Sequence, residues 1–289
     1  MKIKLITSVI PPPALRKLNE NDICLGIGSC FAANMLEKLF NAGFKGMINP
    51  NGIVYNAVSI AKSLDRIVRE ELYTENDFFF FDNLWHSWEH HGTFSNKNLN
   101  AALSSANSSL QKFRKYMGKC KCFIITPSSS VVYEYKKENI ITANCHKVPN
   151  KEFNRKILSC NENINALRSI INSVRKINKN TEILFTLSPV RHYPGDPQLN
   201  SVSKASLRYA IHHILDADNN IFYFPSYEIL MDELRDYRYY KDDLMHPSET
   251  AVNIIFQRFI ESRIEKESII KIETALKQKR SEKHITRNS

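Results

Sequence analysis

Two short segments near opposite ends of the 289-residue chain carry residue types suited to attack on a carbonyl. In the first, Gly26-Ile27-Gly28-Ser29-Cys30-Phe31-Ala32, an apolar run ends on a glycine pair and a helix begins. A serine on such a turn sits at the positive end of a helix among free backbone N–H groups, as an oxyanion requires. It is inert without a base. The second segment, Asp242-Asp243-Leu244-Met245-His246-Pro247, supplies one. Asp243 precedes His246 by three residues, so its carboxylate can orient the imidazole while the other ring nitrogen faces the serine. Ser29 is therefore read as nucleophile, His246 as base and Asp243 as orienter. Asp242 has a less apt spacing for the last role.

The bland readings are a helix N-cap for Ser29 and a helix-start cap for Asp243 and His246. Cys30 is a rival nucleophile, because a helix N-terminus lowers a thiol pKa. Adjacent side chains point different ways and a small cysteine packs well, so Cys30 is assigned to packing. Two other uses of the glycine pair fail. A dinucleotide turn needs an acidic residue about twenty positions on, where Lys45-Gly46-Met47-Ile48-Asn49 has none. A phosphate loop needs a Gly-Lys-Ser/Thr ending that is missing.

The elements that must position these residues alternate. Apolar runs at 23–28, 122–126, 182–187 and 221–224 read as buried strands. Segments 32–42, 57–68, 99–117, 163–177, 203–217 and 247–266 read as helices, with a hairpin over 131–142. Strand and helix in this order predict βαβ crossovers and a mostly parallel sheet with helices on both faces. Ligands of such sheets bind beyond the carboxyl ends of the strands. Ser29, Ser128, Ser188 and Ser226 each follow a strand, most of them as loop or cap residues. Arg191 and His192 follow the third run and should face the end that carries Ser29. Arg191 there suits an anionic group, or a structural pairing with Asp or Glu. The aromatic segment 77–95 reads as a pocket wall or a satellite core. Asn144, Cys145 and His146 are lesser candidates to line the site.

Composition narrows the function further. Lys and Arg number 40 against 30 Asp and Glu, a formal charge of +10. Four of those charges fall within residues 271–289, and no single element gathers the rest, so no nucleic-acid partner is expected. No apolar run is long enough to span a membrane. The opening residues lack a signal-peptide pattern, so a cytoplasmic location is expected. Six cysteines in such a chain should be free thiols. Cys120, Cys122, Cys145 and His146 make a weak zinc spacing, and His86, Glu89 and His90 sit in an irregular aromatic stretch, so no metal and no cofactor is expected. Residues 1–270 are read as one domain and 271–289 as a basic, frayed tail.

Several blocks in order make the chain resemble the GSCFA family, named for the pentapeptide at residues 28–32, within the SGNH/GDSL-type hydrolase superfamily. They include Asn49-Pro50-Asn51-Gly52-Ile53-Val54-Tyr55-Asn56, Trp85-His86-Ser87-Trp88-Glu89-His90-His91-Gly92, Ala143-Asn144-Cys145-His146-Lys147-Val148-Pro149, Ser188-Pro189-Val190-Arg191-His192, Tyr223-Phe224-Pro225-Ser226-Tyr227-Glu228 and the Asp243 to Pro247 segment. The resemblance implies a flavodoxin-like three-layer α/β/α sandwich, with Ser29, His246 and Asp243 in the roles given above. It also implies an oxyanion hole of the serine N–H, a glycine N–H for which Gly52 is the match, and an asparagine. That asparagine has no match here. Thr126-Pro127-Ser128-Ser129-Ser130 stands at its place, with Ser128 where a glycine is expected and Ser128 or Ser129 as substitute hydroxyl donors. The activity implied is that of a serine esterase or acyltransferase acting on a small or carbohydrate O-acyl ester through a Ser29 acyl-enzyme. The missing asparagine motivates the alternative, an inactive descendant that binds a glycan.

Overall fold

A computed structural model describes residues 6–192 and 196–285. The chain runs β1 (Ile23–Gly28), α1 (Cys30–Asn41), β2 (Lys45–Ile48), α2 (Ala57–Arg69), β3 (Phe79–Phe81), β4 (Leu84–His86), α3 (Leu99–Met117) and β5 (Cys122–Thr126). It continues through β6 (Val131–Tyr135), β7 (Ile140–Thr142), β8 (Phe153–Ile157), α4 (Cys160–Ile177), β9 (Glu182–Phe185) and α5 (Pro197–Ile214). β10 (Ile221–Tyr223), a short α6 (Ser226–Glu228), α7 (Glu249–Arg263) and α8 (Lys266–Ile285) complete it.

β2, β1, β5, β9 and β10 form one parallel sheet in that spatial order. Its inner strands are largely apolar, with Thr126 and Glu182 at strand ends, because both faces are covered. Leu25, Ile27, Phe123, Ile125, Ile183 and Phe185 point into a core shared with α2, α3, α4 and α5. Their neighbours Cys24, Cys122, Ile124 and Leu184 point into a second core with α1, α7 and α8. The expected three-layer α/β/α sandwich with a flavodoxin-like strand order is what the chain adopts. Among the described residues, no helix is long and apolar enough to cross a membrane.

Two features depart from the sequence expectation, and the aromatic segment takes one of its two expected forms. β2 is an additional strand, a four-residue edge whose Lys45 and Gly46 break any apolar run. Residues 271–285, within the stretch read as a frayed tail, continue α8, with Ile272 buried in the second core and Ile269 and Leu276 packed against it. The aromatic segment is a satellite core. Its β3–β4 hairpin turns on Asp82 and Asn83, both with positive φ. Trp88 stacks on Phe79 at 3.9 Å between ring centroids and meets Tyr135 and Phe153 of the β6–β7–β8 sheet.

Gly28 controls how β1 hands over to α1. Its φ is +134°, and a Cβ there would stand 2.2 Å from the Thr126 carbonyl oxygen. Only glycine tolerates both conditions. Gly28→Ala is therefore expected to lower unfolding free energy by at least about 2 kcal/mol, read as a lower urea midpoint at unchanged slope.

Candidate active site

The site is built at the carboxyl ends of β1, β5 and β9. Ser29 extends the β1–β5 ladder by one residue: its N–H donates to the Thr126 carbonyl at 3.0 Å. It is the N-cap of α1, yet its side chain makes no capping hydrogen bond. The Ser29 hydroxyl is 0% exposed and has no partner among the described residues. A buried hydroxyl left unbonded costs about 1–3 kcal/mol, so the cap explanation for this serine fails.

Cys30 is the first residue of α1 and the first beyond the ladder. Its half-buried thiol opens on a cleft of about 450 Å³ that His246, Lys241 and Asn34 also line. Ser29 is not among the lining residues. Burial pushes the Cys30 pKa up, while the N–H groups of Cys30 and Phe31 and the charges of Lys241 and Lys204 oppose it. The net direction is upward, so the resting thiol holds its proton. The sequence pointed to Ser29 as nucleophile and to Cys30 as a packing residue; in the structure the Cys30 side chain lines the cleft and the Ser29 side chain is buried.

The loop before α7 delivers the base. His246 Nδ1 bonds Asp243 Oδ2 at 2.8 Å, and Asp243 Oδ1 accepts from the N–H groups of Met245 and His246 at 2.8 and 2.9 Å. These bonds hold the Asp243 carboxyl down at about 2, the His246 N–H contributing most. With Nδ1–H committed to a carboxylate, Nε2 is left as the proton acceptor. Lys241 N–H to the His246 carbonyl (2.8 Å) and Arg191 N–H to the Met245 carbonyl (2.9 Å) pin the loop. Among the described residues Asp242 makes no hydrogen bond to the imidazole, in keeping with its less apt spacing.

The remaining expected site residues divide by position. Arg191 was matched to an anionic group or an acidic partner, but its guanidinium lies over Tyr240 (4.6 Å) and Tyr237 (5.4 Å). It braces the His246 loop. Gly52 was expected to offer its N–H to an oxyanion, but that N–H donates to Asn49 O at 2.8 Å, and a Cβ at Gly52 would meet the His91 Cβ at 2.4 Å. The N–H groups of Ser128 and Ser129 both donate to the Tyr55 carbonyl. Ser129 Oγ accepts from Val131 N–H and touches Ser203 Oγ, an internal brace. Ser128 Oγ is 2.5 Å from His192 Nε2, whose ring packs edge-on to Tyr55. Burial, with the charges of Lys204 and His246, depresses the His192 pKa to about 3, so this imidazole is neutral. Asn144, Cys145, Tyr55 and His192 line a smaller pocket of about 300 Å³. His146 is buried away from it, bonded to the Ser87 carbonyl. Among the described residues no group of three or more His, Cys, Asp or Glu is placed to hold a metal ion. All six cysteines are free thiols.

One residue escaped the sequence reading. Lys204 stands on the buried stripe of α5 with Asn200, Ser203 and Leu207, and a lysine on that stripe was the available signal. Its Nζ donates to the carbonyls of Ser128 and Ser188, each at 2.7 Å. Burial lowers its pKa to about 7. The unfolded lysine binds its proton more tightly, so the folded state gains stability as pH rises from about 7 towards the unfolded value. Relative to Lys204→Met, the wild-type protein should gain on the order of 4 kcal/mol across that window. Urea titrations of both proteins at pH 7 and pH 10 check this, and parallel pH dependences would refute it.

The model of the GSCFA family matches residues 24–259. No curated protein matches the chain. Similar solved structures include a candidate platelet activating factor from Streptococcus pneumonia, at 13% identity and TM-score 0.45, covering 84% of this chain and 83% of that one. Another is a carbohydrate esterase family 3 protein from Talaromyces cellulolyticus, at 8% identity and TM-score 0.40, covering 88% and 99%.

Proposed function

The chain belongs to the GSCFA family, and from that premise we propose that it is an esterase or acyltransferase of the SGNH/GDSL type. It forms a covalent acyl-enzyme at the β1–α1 turn, with His246 as general base and Asp243 as its orienting carboxylate. The observation that carries this reading is the Asp243–His246 bond of 2.8 Å, on a loop whose imidazole shares a cleft with the first turn of α1. A helix N-terminus, an oriented imidazole and a nucleophilic side chain together suit acyl transfer.

Acylation moves a proton from the nucleophile to His246 Nε2 as the acyl carbon is attacked, and the same proton then leaves on the departing alcohol. Water, or an acceptor hydroxyl, resolves the intermediate with His246 again as base. The cleft offers Asn34, Glu37, Lys38, Asn41 and Asn253 to a substrate. Such polar walls suit a hydroxyl-bearing ester, so an O-acylated carbohydrate or another small ester is the substrate class.

One observation favours a second reading, a protein that binds an acylated glycan without cleaving it. The N–H groups of Ser29, Gly52, Ser128 and Ser129 are all spent on carbonyls, so an oxyanion would depend on other donors, such as those of the first turn of α1. Incubating the protein with p-nitrophenyl acetate and a panel of O-acetylated sugars separates the two. Release of acetate that disappears in His246→Ala supports the enzyme, and sugar binding without release supports the second reading.

A further inference from the structure

We infer that the atom attacking the acyl carbon is Cys30 Sγ, and that Ser29 supports the turn beneath it. The inference rests on the reading of this site as an acyl-transfer centre and adds the identity of its nucleophile.

Three independent observations converge on the thiol. The first is access. Cys30 and His246 line one cleft, whereas the Ser29 side chain is 0% exposed and lines none of it. A substrate in this cleft can reach both the sulfur and the imidazole.

The second is the supply of oxyanion donors. The first N–H groups of a helix have no intrahelical acceptor. Among the described residues those of Cys30 and Phe31 donate to no carbonyl, and both favour the ionised form of the Cys30 sulfur. An oxyanion formed by attack from Cys30 would develop beside both of them. Attack from Ser29 would lack its own N–H, which is held by Thr126 at 3.0 Å. The absence of a superfamily-type asparagine matters less at Cys30 than at Ser29.

The third is the surrounding charge. Lys241 and the buried Lys204 both act on the Cys30 thiol in the direction of thiolate. Lys204 is fixed there by two carbonyls, at the ends of β5 and β9. Burial outweighs them, so the thiol still needs a base, and the cleft provides His246.

The steps balance without a further reactant. The Cys30 S–H proton passes to His246 Nε2 as sulfur bonds to the acyl carbon and the carbonyl π electrons move to oxygen. The tetrahedral adduct expels the ester alcohol, which takes the proton from His246, leaving a thioester on Cys30. Water then attacks that carbonyl with His246 taking its proton, and C–S cleavage returns the proton to sulfur.

The test reacts wild-type protein, Cys30→Ser, Ser29→Ala and His246→Ala with p-nitrophenyl acetate, quenches in acid and maps the acetyl group by peptide mass spectrometry. Thioesters are released by neutral hydroxylamine and oxygen esters resist it. The expected result is a hydroxylamine-labile acetyl group on Cys30 in wild type, present in Ser29→Ala and absent from His246→Ala. Cys30→Ser, nearly isosteric and so retaining the fold, should turn over at least about 100-fold more slowly. A hydroxylamine-resistant acetyl group on Ser29 would overturn the inference while leaving the acyl-transfer reading intact. Acetylation confined to the exposed Cys160, or unchanged by His246→Ala, would also overturn it. No adduct and no p-nitrophenol release in any of the four proteins would overturn the underlying reading itself.

Discussion

His246→Ala is expected to lower the steady-state release of p-nitrophenol from p-nitrophenyl acetate by about 10³-fold, with the fold and its urea midpoint nearly unchanged. The size of the effect follows from the double use of this residue. Its Nε2 takes the nucleophile's proton and later gives it to the leaving alcohol, and general acid–base catalysis is worth about 10² to 10⁴ in rate. The small effect on stability follows from position. His246 sits on a partly exposed loop held by backbone bonds from Lys241 and Arg191, which the substitution leaves in place. Asp243→Asn should give a smaller loss, on the order of 10²-fold, because an amide no longer selects the imidazole tautomer that presents a bare Nε2. Its carboxyl, held at about 2 by the His246 and Met245 N–H groups, remains ionised at neutral pH. If His246→Ala retained more than about a tenth of the wild-type rate, the general-base role would be untenable.

Arg263→Met should lower stability by about 3 kcal/mol, without a comparable effect on catalysis. Arg263 is 0% exposed, and its Nη1 bonds Glu182 Oε1 at 2.6 Å. Glu182 opens β9, at the end of the sheet opposite the site, and burial already pushes its pKa upward against the pull of Arg263. Removing the guanidinium leaves a buried carboxylate with no counter-charge, a change that typically costs 3–5 kcal/mol. Replacing both partners removes the stranded charge, so Glu182→Leu combined with Arg263→Met should recover most of the loss, with the methionine packing towards Phe222 as the guanidinium does at 5.2 Å. Urea denaturation of the single and double variants measures both quantities. Equal midpoints for wild type and Arg263→Met would show that the pair contributes nothing net.

The parts of this molecule that were legible in the sequence are those decided by local patterns. β1, β5 and β9 are inner strands buried on both faces, so they are unbroken apolar runs and their carboxyl ends are marked by Gly28, Pro127 and the Ser188-Pro189 pair. Asp243 and His246 are neighbours on one loop, and three residues of spacing are enough to set their bond. What stayed hidden depends on contacts between distant segments. Which of Ser29 and Cys30 faces the cleft depends on packing against segments far along the chain, such as the Lys241 and His246 loop that lines the cleft with Cys30. Gly52 matched a donor position by its block, yet its N–H closes a turn on Asn49. Arg191 follows β9 as expected, but the two tyrosines that hold it come from the His246 loop. β2 was missed because an edge strand needs only one covered face. The helical course of α8 was missed because Ile272 and Leu276 are sparse apolar residues in a basic stretch.

A covalent acyl-enzyme at the β1–α1 turn, served by His246, is most directly tested by stopped-flow mixing of excess p-nitrophenyl acetate with the protein. Acylation faster than deacylation appears as a burst of p-nitrophenol. The expected trace for wild type is a burst approaching one equivalent per chain followed by slower linear release, with the burst absent from His246→Ala. Identical linear traces from the two proteins, with no burst in either, would contradict the account.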